Sequence, residues 1–244
     1  LRPIFTTAPA DITVQGWEVP DLASVIVEAQ VSPFAAAYEN QFQGNTCYDS
    51  DPTATVVALT EVRIDGNCIH DYTLFRSWSA TDCAGYSSVH YQTITVIDNV
   101  PPTLELPVNM TVSCDVVDGA SFGNAASTDD CGESTISVVE SIVSGTCIGT
   151  YEIHRIFTAM DPCLNTTSGT QVITVQDNTA PVLSLPLDFT IECSENIVLL
   201  PATAEDNCSY SEISVIETTV PGNSIGNYTI ARTFSATDDC GNTS

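Results

Sequence analysis

Short runs of alternating apolar and polar residues recur along the chain, as in Thr93-Ile94-Thr95-Val96-Ile97 and Ile213-Ser214-Val215-Ile216-Glu217. A period of two sends alternate side chains to opposite faces of a pleated strand. The runs are rich in Val, Ile, Thr and aromatic residues, and Gly, Asn, Asp or Pro separates them, which is strand-and-turn punctuation. No run of 18 or more apolar residues occurs, so the pattern predicts no membrane span.

The runs are copies of one another. "YTLFRSWSATD" (72–82), "YEIHRIFTAMD" (151–161) and "YTIARTFSATD" (228–238) align, and "QTITVIDNVPP" (92–102) matches "QVITVQDNTAP" (171–181). "NMTVSCD" (109–115) and "DFTIECS" (188–194) match in turn. Tyr72 to Tyr151 is 79 residues and Tyr151 to Tyr228 is 77, so the repeat is close to 79 residues long. About seven short strands per repeat predict an all-β fold of tandem immunoglobulin-like β-sandwiches in an end-to-end array. The first repeat covers residues 1–98 and carries an insertion at 21–45, readable as a short helix or as an edge strand broken at Pro33. The second covers 99–177. The third covers 178–244 and lacks its last strand, because no "QTITVxD" run follows "DDCGNTS". That strand is expected to follow in a longer parent chain, or to come from a neighbouring subunit. Trp78, Phe157 and Phe234 stand two residues after the aligned arginines and are assigned to the core.

Composition narrows the class. The chain has 31 acidic residues, no lysine and five arginines, for a net charge of -26. Such a surface repels nucleic acid and anionic lipid and attracts cations. Without lysine, Lys–Asn isopeptide cross-links are excluded. Ten cysteines with no C-x-x-C point to disulfides in an oxidising compartment, extracellular or at the cell surface, rather than to zinc or thioredoxin chemistry.

The phrasing "ATDxCGN … QTITVxDxTAP … DNC" resembles the hyalin-repeat (HYR-like) immunoglobulin-fold modules. These are arrayed in very large secreted and cell-surface proteins, notably gliding and adhesion proteins of Bacteroidota. The resemblance covers nearly the whole chain except the insertion, and it implies a repeat module without fixing its function. The first repeat departs from the pattern in "TDCAGY", where the cysteine sits one residue early.

Four cysteine positions recur. The second repeat has all of them, at Cys114, Cys131, Cys147 and Cys163. The first repeat has Cys47, Cys68 and Cys83, with Gly16 near the first position. The third has Cys193, Cys208 and Cys240. Cys147 and Cys163 flank one strand, which at about 3.3 Å per residue separates them too far for a bridge. Strand direction places Cys131 with Cys163 at one pole and Cys114 with Cys147 at the other. The expected bridges are therefore Cys114–Cys147, Cys131–Cys163, Cys47–Cys83 and Cys208–Cys240. Cys68 and Cys193 are left unpaired within their repeats, as buried free thiols or as bridges to another chain or to residues outside this stretch.

Arg76, Arg155 and Arg232 each stand fifteen residues after a glutamate, Glu61, Glu140 and Glu217, a spacing that suits a structural cross-strand ion pair. Carboxylates gather at strand ends and linkers: Asp98, Asp129, Asp130, Asp161, Asp177, Asp206, Asp238 and Asp239. Ca²⁺, with its 6–8 oxygen ligands, is the one cofactor they suit, although Asp is also common in turns for its own backbone bonds. No EF-hand or RTX spacing is present. His70, His90 and His154 do not recur at matching positions, and no G-x-S-x-G, H-E-x-x-H or phosphate loop occurs, so no catalytic residue and no enzyme is expected. Asn109, Asn165, Asn207, Asn227 and Asn242 lie in N-x-S/T sequons.

The favoured reading is a structural extracellular module forming a stalk, fibre or filament of a large surface protein. Its partners would be further repeats of the parent chain or identical subunits. The alternatives are an adhesin whose insertion recognises a glycan or a surface protein, and an accessory region of a secreted enzyme.

Overall fold

The alternating runs become strands. The computed structural model describes residues 3–21, 25, 27–30, 56–81, 85–192 and 194–244. Sixteen strands follow in chain order: β1 Ile4–Thr7, β2 Ile12–Gln15, β3 Glu28–Gln30, β4 Val56–Asp65, β5 Tyr72–Thr81, β6 Ser87–Ile97, β7 Thr103–Glu105, β8 Met110–Ser113, β9 Ala126–Thr128, β10 Thr135–Ser144, β11 Tyr151–Met160, β12 Thr166–Gln176, β13 Val182–Ser184, β14 Thr203–Glu205, β15 Ser211–Pro221 and β16 Tyr228–Asp238. One 3₁₀ turn, Val117–Gly119, is the sole helical element among the described residues. The fold is all-β.

The same sheets recur. In the first repeat β2-β6-β5-β4 form a four-stranded sheet and β1-β3 a two-stranded one; in the second, β8-β12-β11-β10 and β7-β9 do the same. β2 runs parallel to β6, with Ile12 opposite Ile94, and β8 runs parallel to β12, with Met110 opposite Ile173. The third repeat has the small sheet β13-β14, and among the described residues its large sheet holds two strands, β15 and β16.

The core follows the alternation. Leu74, Ile94 and Val96 are buried together, with Ile12, Val14, Val19 and Tyr72 packed against them. Ile173 and Val175 hold the places of Ile94 and Val96 and are equally buried, as are Phe157 and Trp78 on the neighbouring strands. Side chains of this size contribute roughly 1.5–3 kcal/mol each when fully removed from water.

The chain folds into two compact units. One comprises residues 1–104, 127–136 and 159–167; the other comprises 105–126, 137–158 and 168–244. Each unit therefore holds the cysteine-bearing turns of one repeat together with those of the next. Most of the insertion lies outside the described residues, and so do Cys47, Cys83 and Cys193.

Candidate functional site: paired cystines and carboxylates at the turns

The turn that reverses β4 into β5, β10 into β11 and β15 into β16 has one geometry. Gly66 N–H donates to the carbonyl of Asp71 at 2.7 Å, Gly145 N–H to Thr150 at 2.9 Å and Gly222 N–H to Asn227 at 2.8 Å. Cys68 and Cys147 sit at the same place in the first two of these loops, and Ser224 replaces them in the third. A second turn closes after β11 and β16. Asp161 accepts from the backbone of Asn165 at 2.9 Å and its amide at 2.8 Å, and Asp238 accepts from Asn242 at 2.8 and 2.7 Å. Cys163 and Cys240 ride on these closed turns.

Two of the cystines join one kind of turn to the other, and the third joins the end of β8 to the turn after β14. Cys68 bonds Cys163, Cys147 bonds Cys240 and Cys114 bonds Cys208, at sequence separations of 95, 93 and 94. Their Cα–Cα distances of 5.1, 5.1 and 6.0 Å are ordinary for a cystine. These separations exceed the repeat length, so each bond links a residue of one sequence repeat to a residue of the next.

This corrects the within-repeat pairing. Cys114–Cys147, Cys131–Cys163 and Cys208–Cys240 do not form, and Cys68 is bonded rather than unpaired. Strand direction does bring Cys131 and Cys163 into one compact unit, and Cys114 and Cys147 into the other. Cys163, Cys114 and Cys147, however, each find their partner in the adjoining repeat. Ile148 N–H, beside Cys147, donates to Asp239 Oδ2 at 2.7 Å beside Cys240, which holds those two turns together. The expected Cys47–Cys83 bridge and the status of Cys193 fall outside the described residues.

Cys131 is the one free cysteine among the described residues, and it is buried. It occupies the position of Cys208, and the position of its would-be partner Cys114 is taken by Gly16. A Cβ built on Gly16 lies 3.0 Å from Cys131 Sγ. That is about the Cβ-to-Sγ span across a cystine, given an S–S bond near 2.04 Å. The room is filled by His70, whose Cβ and Nδ1 lie 3.2 and 3.3 Å from the same point. Where the Cys114–Cys208 cystine exists, the residue matching His70 is Gly149, with φ 89°. A Cβ there would sit 2.9 Å from Cys208 Cβ. Glycine beside the cystine and histidine beside its absence are one steric exchange. Burial, with the nearby charges of Asp98 and Asp129, pushes the Cys131 thiol up to about 11.

Carboxylates accompany both sets of turns. Ligand atoms of Asp177, Asp206 and Asp238 lie within 4.8 Å of one another, as do those of Asp98, Asp129 and Cys131. Each aspartate spends at least one oxygen on its local turn: Asp129 accepts from Cys131 N–H at 2.8 Å, and Asp206 Oδ2 accepts from Cys208 and Ser209 N–H, both at 2.9 Å. Asp98 Oδ2 and Asp206 Oδ1 are buried without a partner. Burial raises the pKa of Asp177, and the charges of Asp206 and Asp238 raise it further. Burial acts upward on Asp238 too, but the side-chain and backbone donors of Asn242 and the N–H groups of Cys240 and Gly241 outweigh it and hold the pKa below the usual range. Asp130 is exposed and joins neither group. Asn165 and Asn242 donate from Nδ2 to these aspartates and to the carbonyls of Asp98 and Asp177, so these two sequon amides are structural.

The glutamates and arginines come together in all three repeats. Nε donates to the carboxylate at 2.6 Å for Arg76–Glu61, 2.8 Å for Arg155–Glu140 and 2.9 Å for Arg232–Glu217. Arg155 Nη1 also donates to Gln171 Oε1 and the carbonyl of Gly123, both at 3.0 Å. Arg155 and Arg232 stack on Phe157 and Phe234, with the guanidinium carbon 5.0 and 4.7 Å from the ring centres. The three pairs join β4 to β5, β10 to β11 and β15 to β16.

No family profile and no curated protein matches this chain. Among solved structures it is similar to extracellular cadherin domains 1–4 of protocadherin gamma B7, at 12% identity and a TM-score of 0.34, over 100% of this chain and 74% of that one. It is also similar to domains EC1–4 of Drosophila N-cadherin, at 14% identity and a TM-score of 0.32, over 99% of this chain and 66% of the other. Domains EC21–23 of human cadherin-23 are a third, at 11% identity and a TM-score of 0.34, over 100% and 98%.

Proposed function

We propose that this protein is a structural, non-catalytic segment of an extracellular stalk, fibre or filament, in which tandem sandwiches are covalently stapled to one another. The observation that carries the reading is the separation of 93 to 95 residues between cystine partners against a repeat of 77 to 79. A cystine inside a repeat protects that repeat alone. A cystine between repeats carries tension past a fold that has come apart. Disulfides of this kind persist in oxidising compartments, which supports an extracellular location.

The staples set a length that can be measured. Through the cystines of the described residues the shortest covalent path runs from residue 1 to Cys68, across to Cys163, back to Cys147, across to Cys240 and out to residue 244. That is 87 residue steps in place of 243. Pulling the ends of a single oxidised molecule should give a fully extended length of about 30 nm, and after reduction about 83 nm. An oxidised length near 48 nm, as within-repeat cystines allow, would overturn the stapled reading.

A divalent cation belongs to the same reading. Asp177, Asp206 and Asp238 supply oxygens at ligand spacing, and Asp206 Oδ1 is buried without a hydrogen-bond partner. Calcium there would offset charge that burial otherwise disfavours.

A further inference from the structure

We infer that Cys131, Asp98 and Asp129, with the His70 imidazole beside them, bind a thiophilic divalent cation of the zinc class where the matching turn of the third repeat has a cystine. The inference goes beyond the stapled-array reading and uses residues of one compact unit, drawn from 1–104 and 127–136.

The donors are already gathered. The Cys131 sulfur and one carboxylate oxygen each from Asp98 and Asp129 lie within 4.8 Å of one another. Cys131 is 4% exposed, and its thiol belongs to no cystine. Asp98 Oδ1 accepts from Val100 N–H at 3.3 Å, while Asp98 Oδ2 is buried with no hydrogen-bond partner. Asp129 Oδ1 accepts from Cys131 N–H at 2.8 Å, which fixes that carboxylate beside the thiol. The His70 ring borders the site. Its Nδ1 lies 3.3 Å from a Cβ built on Gly16, itself 3.0 Å from the Cys131 sulfur, and its Nε2 lies 3.5 Å from a Cβ built on Gly132. A buried carboxylate oxygen with no donor facing it carries a desolvation cost that a bound cation removes.

The donor set selects the metal. At the matching place Asp177 and Asp206 stand for Asp98 and Asp129, but the Cys208 sulfur is bonded to Cys114. Oxygen alone remains there, which suits a hard cation such as calcium. Around Cys131 the same pair of carboxylates gains a free thiol and an imidazole, because Gly16 replaces Cys114 and His70 replaces Gly149. Sulfur, imidazole nitrogen and carboxylate oxygen are the ligands of zinc, usually four in a tetrahedron. Zn–S of about 2.3 Å and Zn–O of about 2.1 Å set tetrahedral ligands about 3.5 Å apart, so these donors close on an ion by small side-chain rotations. On binding, a Zn–S bond forms, the S–H bond breaks, and the proton leaves to solvent. The exchange that takes away a cystine thereby supplies a metal site.

The test titrates Co²⁺ into the oxidised, metal-free 244-residue chain and then adds Zn²⁺ or Ca²⁺ as competitor. Co²⁺ should give a saturable thiolate-to-cobalt charge-transfer band, which Zn²⁺ abolishes and a large excess of Ca²⁺ does not. Cys131→Ser should lose the band. Gly16→Cys with His70→Gly, which offers Cys131 a cystine partner, should lose it as well. Asp98→Asn, which keeps the thiol, should bind Co²⁺ at least about tenfold more weakly, the effect that even an outer-shell partner has on metal affinity. Four results would overturn the inference: no charge-transfer band from a chain whose circular dichroism is intact, an unchanged band once Cys131 is replaced or bonded, full-strength binding by Asp98→Asn, or displacement by Ca²⁺ as readily as by Zn²⁺.

Discussion

Cys131 is defined by the residue it lacks opposite it. With its thiol pushed up to about 11 by burial and by Asp98 and Asp129, it is protonated and unreactive at neutral pH. Iodoacetamide should label it only after denaturation; fast labelling of the folded chain would show that the site is open. The steric exchange makes a sharper forecast. Gly16→Cys in a His70→Gly background should form a fourth cystine, seen as loss of the Cys131 thiol on oxidation, and should stabilise the chain by about 2 kcal/mol. Gly16→Cys alone must displace the His70 ring and should oxidise less completely. Asp177 makes the opposite kind of statement. Its folded pKa lies above the unfolded value of about 3.9. As pH rises from there through the folded pKa, the unfolded chain releases its proton first, so stability falls across that window and stays lowered above it. Asp177→Asn should therefore melt higher than wild type at pH 7 in chelator and equally at pH 3.5, with millimolar calcium narrowing the gap at pH 7. No gap in chelator would remove the argument. Asp238, held low by its donors, works the other way and loses its contribution as pH falls through its own pKa.

At the scale of elements, the arginine strands carry the large sheets, and their environments differ. The Arg76 side chain is 3% exposed and that of Arg232 17%, against glutamates 33% and 45% exposed. Arg76→Ala leaves a buried hole and strands Glu61, and should cost about 2–3 kcal/mol in denaturant unfolding. Arg232→Ala, at the more exposed pair, should cost about 1 kcal/mol. Equal costs would mean that burial does not set the value of the pair. This part of the fold was legible in the sequence. The fifteen-residue spacing put each glutamate opposite its arginine, and the register Glu61 to Arg76 and Glu217 to Arg232 is what the strands adopt. Alternation likewise picked out Ile94 and Val96 as one face. The cystine partners were not legible. Strand direction gives the pole a cysteine reaches, and Cys131 and Cys163 do share a compact unit, but it says nothing about which neighbour's turn meets that pole. The single mark left in the sequence is the exchange of Gly16 with His70 for Cys114 with Gly149, and it becomes readable only once their proximity is known.

At the scale of the whole molecule, the account has one covalent logic. Each described cystine ties a turn of one repeat to a turn of the next, and the acidic turns that carry the cysteines place buried carboxylates beside them. A chain of net charge -26 with no lysine has few ion pairs to hold it, and covalent staples suit a surface with little electrostatic cohesion of its own. The measurement that tests this most directly is disulfide mapping of the untreated protein. Free thiols are alkylated under denaturing conditions, the chain is digested with pepsin at acid pH to prevent exchange, and the linked peptides are identified by mass. The account predicts Cys68 with Cys163, Cys114 with Cys208, Cys147 with Cys240, and Cys131 alkylated. Peptides joining Cys114 to Cys147, Cys131 to Cys163 or Cys208 to Cys240 would contradict it.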